Sequence, residues 1–161
     1  VSNIILKASN LNKTFGAVTA ASEINVDVAE GSCIGLIGTN GAGKTTFVNM
    51  ITGYLKPDTG VITFNGSDIT DLPPTSGVSA EEKFDMMDMV MQVIRNSGTT
   101  VLFVEHDMEV VIRYAHRVLA FYEGKIIADD HPDIALKDER VLKYIVGHSQ
   151  AQHVLAEKSD A

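Results

Sequence analysis

Apolar residues along the chain fall into short blocks separated by glycine, proline and asparagine. Residues 3–8 and 24–28 predict strands; in the second, Ile24, Val26 and Val28 alternate with Asn25 and Asp27. Residues 32–37 (Ser-Cys-Ile-Gly-Leu-Ile) form a continuous apolar run suited to a buried strand. Residues 44–52 have helical character, and Gly53 is a plausible stop. Val61-Ile62-Thr63-Phe64 predicts a strand between the turn signals Pro57-Asp58-Thr59-Gly60 and Asn65-Gly66. Residues 69–78 predict a loop centred on Pro73-Pro74.

A second helix is expected over 80–96, where Ser79 and Glu82 match a capping box. At about 100° per residue its polar positions, Asp85, Asp88, Gln92, Arg95 and Asn96, share one arc. Phenylalanine, methionine, valine and isoleucine occupy the rest, so this helix wants contacts on two sides; its methionines read as flexible core filling. Residues 99–104 form a β-branched, apolar run, a buried parallel strand ended by Glu105-His106-Asp107. A helix to about Ala115, strands at 117–122 and 125–128 joined by Glu123-Gly124, and an amphipathic helical tail from Pro132 follow. Strands alternating with helices give an α/β fold with a mainly parallel sheet and an antiparallel N-terminal part.

Residues 38–46 read G-T-N-G-A-G-K-T-T and fit the phosphate-binding pattern G-x-x-x-x-G-K-[ST] at every fixed position: Gly38, Gly43, Lys44 and Thr45. The pattern lies between an apolar strand and a helix, as its chemistry requires. Backbone N–H groups unobstructed at Gly38, Gly41 and Gly43 can curl around a phosphate, with Asn40 and Ala42 completing the loop. The following helix turns its positive end toward the same anion. Lys44 brings a full charge to the outer phosphates, and the Thr45 hydroxyl can ligate Mg²⁺. A nucleotide and Mg²⁺ are therefore the expected ligands. A small kinase or GTPase could use the same loop, although the chain contains no Asn-Lys-x-Asp guanine signal.

The 161 residues, 45% of them apolar, suit one globular domain. A formal net charge of −8 argues against nucleic acid as a partner. The single cysteine, Cys33, permits no intramolecular disulfide and fits a reducing compartment. No secretory leader and no membrane span of about 18 apolar residues is expected.

Four phrases carry a resemblance: G-T-N-G-A-G-K-T-T-F-V-N-M-I-T-G, P-T-S-G-V-S, V-L-F-V-E-H-D-M-E-V-V and A-H-R-V-L-A-F-Y-E-G-K-I-I-A. With them the chain resembles the ATP-binding subunits of ABC transporters, most of all those of branched-chain amino acid importers. The resemblance implies a P-loop NTPase core and gives Phe15 as the ring stacking on adenine, Thr46 as a contact to an inner phosphate, and His106 as the switch histidine reaching the terminal phosphate. Ser76-Gly77-Val78 would touch a partner subunit. It further implies transmembrane permease subunits as partners, self-association or an ATP-dependent dimer with a second ATPase subunit, and a cytoplasmic site at the inner face of the membrane.

The departures are equally specific. A complete member has a glutamine loop, a helical subdomain, a Leu-Ser-Gly-Gly-Gln signature and an apolar strand ending in Asp-Glu; this sequence has none of them. Leu72-Pro73 runs directly into Pro74-Thr75-Ser76-Gly77, so the chain reads as a single truncated nucleotide-binding domain over 1–161 with an internal join near 73–74. Val101–Glu105 imitates the missing acidic strand, yet His106-Asp107-Met108 identifies it as the histidine loop instead. Without a Mg²⁺-binding aspartate and a water-positioning glutamate, ATP is expected to bind but to be hydrolysed poorly. A vestigial module that binds another protein is the alternative. The lost strands would leave a bare sheet edge beyond residues 100–105.

Overall fold

The computed structural model describes residues 3–73 and 98–147. The expected helix over 80–96, the Ser76-Gly77-Val78 loop and the end of the helical tail lie outside them.

β1 (Ile4–Phe15) and β2 (Val18–Ala29) form a long antiparallel hairpin closed by Gly16-Ala17. Both strands run well beyond the expected 3–8 and 24–28. The pairing register shifts between Ala8 and Leu11 and again on each side of Lys13. Asn10 and Glu23 both adopt φ 52°, the left-handed backbone of a bulge. Each bulge moves downstream side chains to the opposite face, which destroys the period-two signal. Asn12 holds the irregular region together. Its amide donates to Asn10 O (2.9 Å) and Thr59 Oγ1 (3.0 Å), and its side-chain oxygen accepts from the Glu23 amide (2.9 Å).

β4 (Thr59–Phe64) pairs with the other side of β1, and β5 (Ser67–Asp68) follows the Asn65-Gly66 turn, giving an antiparallel sheet of order β2-β1-β4-β5. The loop before β4 is fastened to β1 by Asp58. Its carboxylate accepts from Lys13 Nζ (2.8 Å), the Thr14 amide (2.7 Å) and Thr14 Oγ1 (3.0 Å).

The second sheet has the order β6-β3-β7-β8, built from β3 (Cys33–Gly38), β6 (Val101–Val104), β7 (Arg117–Tyr122) and β8 (Lys125–Asp130). β3 is parallel to both of its neighbours, and β8 runs antiparallel to β7. This is the expected α/β architecture with its antiparallel N-terminal part. Every residue of β3 is buried because both of its faces are covered. Ile34 and Leu36 pack with Phe47 and Met50 of α1 (Lys44–Ile51) and with Leu11, Ile24 and Ile62 of the first sheet. Ile37, Val118 and Ala120 pack on the opposite side. They meet α2 (Met108–Tyr114), α3 (Pro132–Ala135) and α4 (Glu139–Val141), which continues as a π-helical turn over Leu142–Val146. Among the described residues no helical subdomain stands beside this core, and no helix is long and apolar enough to cross a membrane.

Arg117 ties the two sheets. Its guanidinium forks onto Asp129 of β8 (2.6 and 2.7 Å) and also donates to the Asp27 carbonyl of β2. The hydrogen bonds to Asp129 hold its pKa above the usual value.

The Asp58 clamp leaves a signature in acid. The Lys13 ammonium, then the Thr14 amide and hydroxyl, pull its pKa from 3.8 down to about 2. Because the folded pKa is the lower one, its stabilisation is complete above about pH 4 and disappears as pH falls through about 2. Thermal melts from pH 5 to pH 2 should show a smaller fall in Tm for Asp58→Asn than for the parent chain; equal falls would show that the clamp carries no linkage.

Candidate functional site

β3 ends at Gly38 and α1 begins at Lys44, so residues 38–43 have to reverse the chain within one tight loop. Three glycines make this possible for different reasons. The sequence alone suggests that all three clear a path to an incoming phosphate. Only Gly41 does so: at φ 79° it faces open space. At Gly38 (φ 151°) a Cβ would collide with the Phe121 carbonyl oxygen of β7. At Gly43 (φ 105°) it would collide with the Ala20 carbonyl oxygen of β2 and press on Gly124 at 3.3 Å. Two of the glycines thus let the loop sit directly on neighbouring backbone.

That support is hydrogen-bonded. The Gly124 amide donates to Ala42 O (3.0 Å), and the Ser22 amide donates to Gly124 O (2.8 Å). The β7–β8 turn therefore braces the loop from behind and links it to β2. Reading Glu123-Gly124 as a turn gives no hint of this role, because the contact is long-range.

A cleft of about 210 Å³ opens over the loop, lined by Asn40, Gly41, Ala42, Gly43, Lys44, Thr45, Thr46, Val104 and His106. Eight of the nine expected loop and histidine positions thus converge here; the ninth, Gly38, lies beneath as the end of β3. α1 begins without a side-chain cap and with no acid in its first turn. Its leading N–H groups and the positive end of its dipole face the cleft without a competing internal anion. Lys44 is buried, with Nζ donating to Gly38 O (2.7 Å) and Thr39 O (2.9 Å). Burial lowers its pKa. The Thr45 side chain is exposed and Thr46 is half-buried.

His106 also lines the cleft, from the loop between β6 and α2, and is exposed. Glu105 Oε2 accepts from the His106 amide (3.0 Å) and the Asp107 amide (3.5 Å), and Asp107 caps α2 through the Glu109 amide (2.9 Å). The carboxylate that could imitate a catalytic acid is thus turned onto its own loop. Phe15 does not line the cleft. Its half-exposed ring stands at the tip of the β1–β2 hairpin, opposite Val18, two residues before Ala20 meets the loop.

Residues 21–135 match the sequence profile of the ABC transporter family. Among individual relatives, a probable branched-chain amino acid transport ATP-binding protein of Archaeoglobus fulgidus is 44% identical over 70 residues, 44% of this chain and 27% of that protein. A ribose import ATP-binding protein of Cereibacter sphaeroides is 41% identical over 76 residues, 47% of this chain and 15% of that protein. The chain thus spans between a seventh and a third of these relatives. A crystal structure of a nucleotide-free ATP-binding cassette from an ABC transporter superposes with a TM-score of 0.75 at 18% identity, covering 87% of this chain and 98% of that one, a likeness of fold.

The glycines separate experimentally. Gly41→Ala should cost about 1 kcal/mol, the strain of a left-handed residue in open space. Gly43→Ala should cost at least ~2 kcal/mol, because backbone would have to move. Urea unfolding of both variants checks the order; equal losses would mean that the loop yields freely at Ala20.

Proposed function

The chain belongs to the ABC transporter family, and from that membership we propose that it is the ATP-binding part of an importer for branched-chain amino acids or similar solutes. The observation that carries the reading is one cleft lined by an uncapped helix start, a buried lysine, an exposed threonine and a histidine from a separate loop. In this reading residues 40–46 hold the triphosphate, Lys44 exchanges its two carbonyl partners for phosphate oxygens, and His106 meets the terminal phosphate. The Thr45 hydroxyl ligates Mg²⁺, whose role when bound is to neutralise phosphate charge. Phe15 stacks on adenine beyond the cleft. The whole of 1–161 acts as one truncated nucleotide-binding domain joined near 73–74. It works at the cytoplasmic face of a membrane against permease subunits, and pairs with a second ATPase subunit when ATP is bound.

Binding and hydrolysis separate in this reading. The binding groups lie almost entirely in one continuous segment, whereas hydrolysis needs a carboxylate that places water. Glu105 is committed to the His106 and Asp107 amides. Calorimetric titration should show Mg-ATP binding that Lys44→Ala weakens by at least ~10-fold, with negligible steady-state turnover. Turnover at ordinary ATPase rates that Lys44→Ala abolishes would refute the hydrolytic half; absence of any binding heat or thermal shift would refute the whole.

A second reading, an interaction module, is favoured by β6. Among the described residues it pairs with β3 alone, although Val-Leu-Phe-Val has the composition of a central parallel strand. Val101, Leu102 and Phe103 are only half-buried and Val104 is exposed. Such an edge suits a second copy pairing with it about a two-fold axis. Light scattering over a concentration series should show self-association that Val104→Lys suppresses. A clean monomer at high concentration would remove this reading.

A further inference from the structure

Phe15 poses a physical problem for any role in stacking. It is 50% exposed at the end of a strand, beside a two-residue turn, and belongs to neither apolar core. A ring so placed must lose much of its rotational freedom on meeting a ligand unless something else already restrains it. The restraint comes from below. Asp58 grips the two residues immediately before the ring: Lys13 through Nζ (2.8 Å), and Thr14 through both its amide (2.7 Å) and its hydroxyl (3.0 Å). The same Lys13 ammonium lies over the Phe15 ring, 5.7 Å from its centroid. Asp58 is itself anchored. Its amide donates to Asn12 O (2.8 Å), and the next residue, Thr59, pairs with Asn12 and accepts from its side chain (3.0 Å). A carboxylate, an ammonium and an aromatic ring thus form a chain from the rigid start of β4 to the hairpin tip.

We propose that Asp58 is a positioning residue for a nucleobase platform: by holding Thr14 and Lys13 it sets the plane of Phe15, so a purine nucleotide gains affinity that a bare polyphosphate does not. This rests on the reading of Phe15 as the stacking ring. Asp58 touches no ligand; it acts through the Thr14 backbone and the Lys13 ammonium. Removing its charge leaves the phosphate loop untouched, because none of its partners lines that cleft.

The two halves of the ligand provide the test. The full chain is titrated calorimetrically with Mg-ATP and with Mg-tripolyphosphate. Asp58→Asn should weaken Mg-ATP about tenfold, the scale of one stacked base, while tripolyphosphate affinity stays within about twofold. Phe15→Ala should do the same, the double variant should bind no more weakly than Phe15→Ala, and Asp58→Glu should recover part of the loss. Lys13→Met keeps the Thr14 bonds and gives an intermediate loss; it also serves where Asp58→Asn fails to fold by circular dichroism. An unchanged ATP affinity in Asp58→Asn beside a loss in Phe15→Ala overturns the proposal and spares the platform. Equal losses for both ligands overturn it too, as they signal general disruption. Tripolyphosphate binding with no effect of Phe15→Ala removes the platform itself, and no tripolyphosphate binding removes the phosphate-loop reading.

Discussion

Three stretches of backbone meet with no room between them at the phosphate loop, and the rest of the molecule is arranged around that meeting. Gly43 lies against Ala20 of β2, Gly124 lies against the same carbonyl, and Gly38 lies against Phe121 of β7. Hydrogen bonds run through the same place, from Ser22 to Gly124 and from Gly124 to Ala42. A side chain at Gly43 or Gly124 would push β2 and its antiparallel sheet away, and one at Gly38 would push the end of β3 off β7. The loop is therefore the joint between the two sheets as well as the floor of the cleft. Its shape is set by contacts behind it rather than by a ligand in front, which lowers the ordering cost that a ligand would otherwise meet.

Electrostatics follow from the same packing. Lys44 is brought out of water by the loop that surrounds it, and two carbonyls replace part of its hydration. Burial disfavours its charged form, so the arrangement is least comfortable before an anion enters. Neutral carbonyl partners are weaker than charged oxygens, so exchange toward a phosphate is downhill. With a formal charge of −8 over the whole chain, a nucleotide is repelled at long range. Attraction would have to be local, and in the cleft the positive groups are this ammonium and the uncapped end of α1.

Much of this was legible in the sequence, and the limits have physical causes. β3, α1, β6, α2 and β7 were readable because an apolar run or a helical period is a local signal and each element is regular. The β1–β2 hairpin was legible only at its base, since bulges at Asn10 and Glu23 invert the inside-outside pattern beyond them. The residues of the loop that line the cleft could be named because they are consecutive, 40–46. The second duty of Gly38 and Gly43 could not, since Phe121 and Ala20 are distant in sequence. The same holds for the bracing turn at Gly124 and for Asp58, which looks like an ordinary turn residue until Lys13 and Thr14 are seen around it.

The distribution of these contacts separates what phosphate binding and hydrolysis would each require. Recognition of phosphate would draw on a local segment whose supports, β2, β7 and the β7–β8 turn, all lie among the described residues. Hydrolysis is the opposite kind of property, for it needs groups from several strands held to within a fraction of an ångström around one water. Glu105 cannot be recruited cheaply. Freeing its carboxylate would leave the His106 and Asp107 amides without their acceptor, and with them the turn that brings His106 into the cleft. A substitute acid gained that way would cost the histidine its place in the cleft, so Glu105 cannot fill both positions at once.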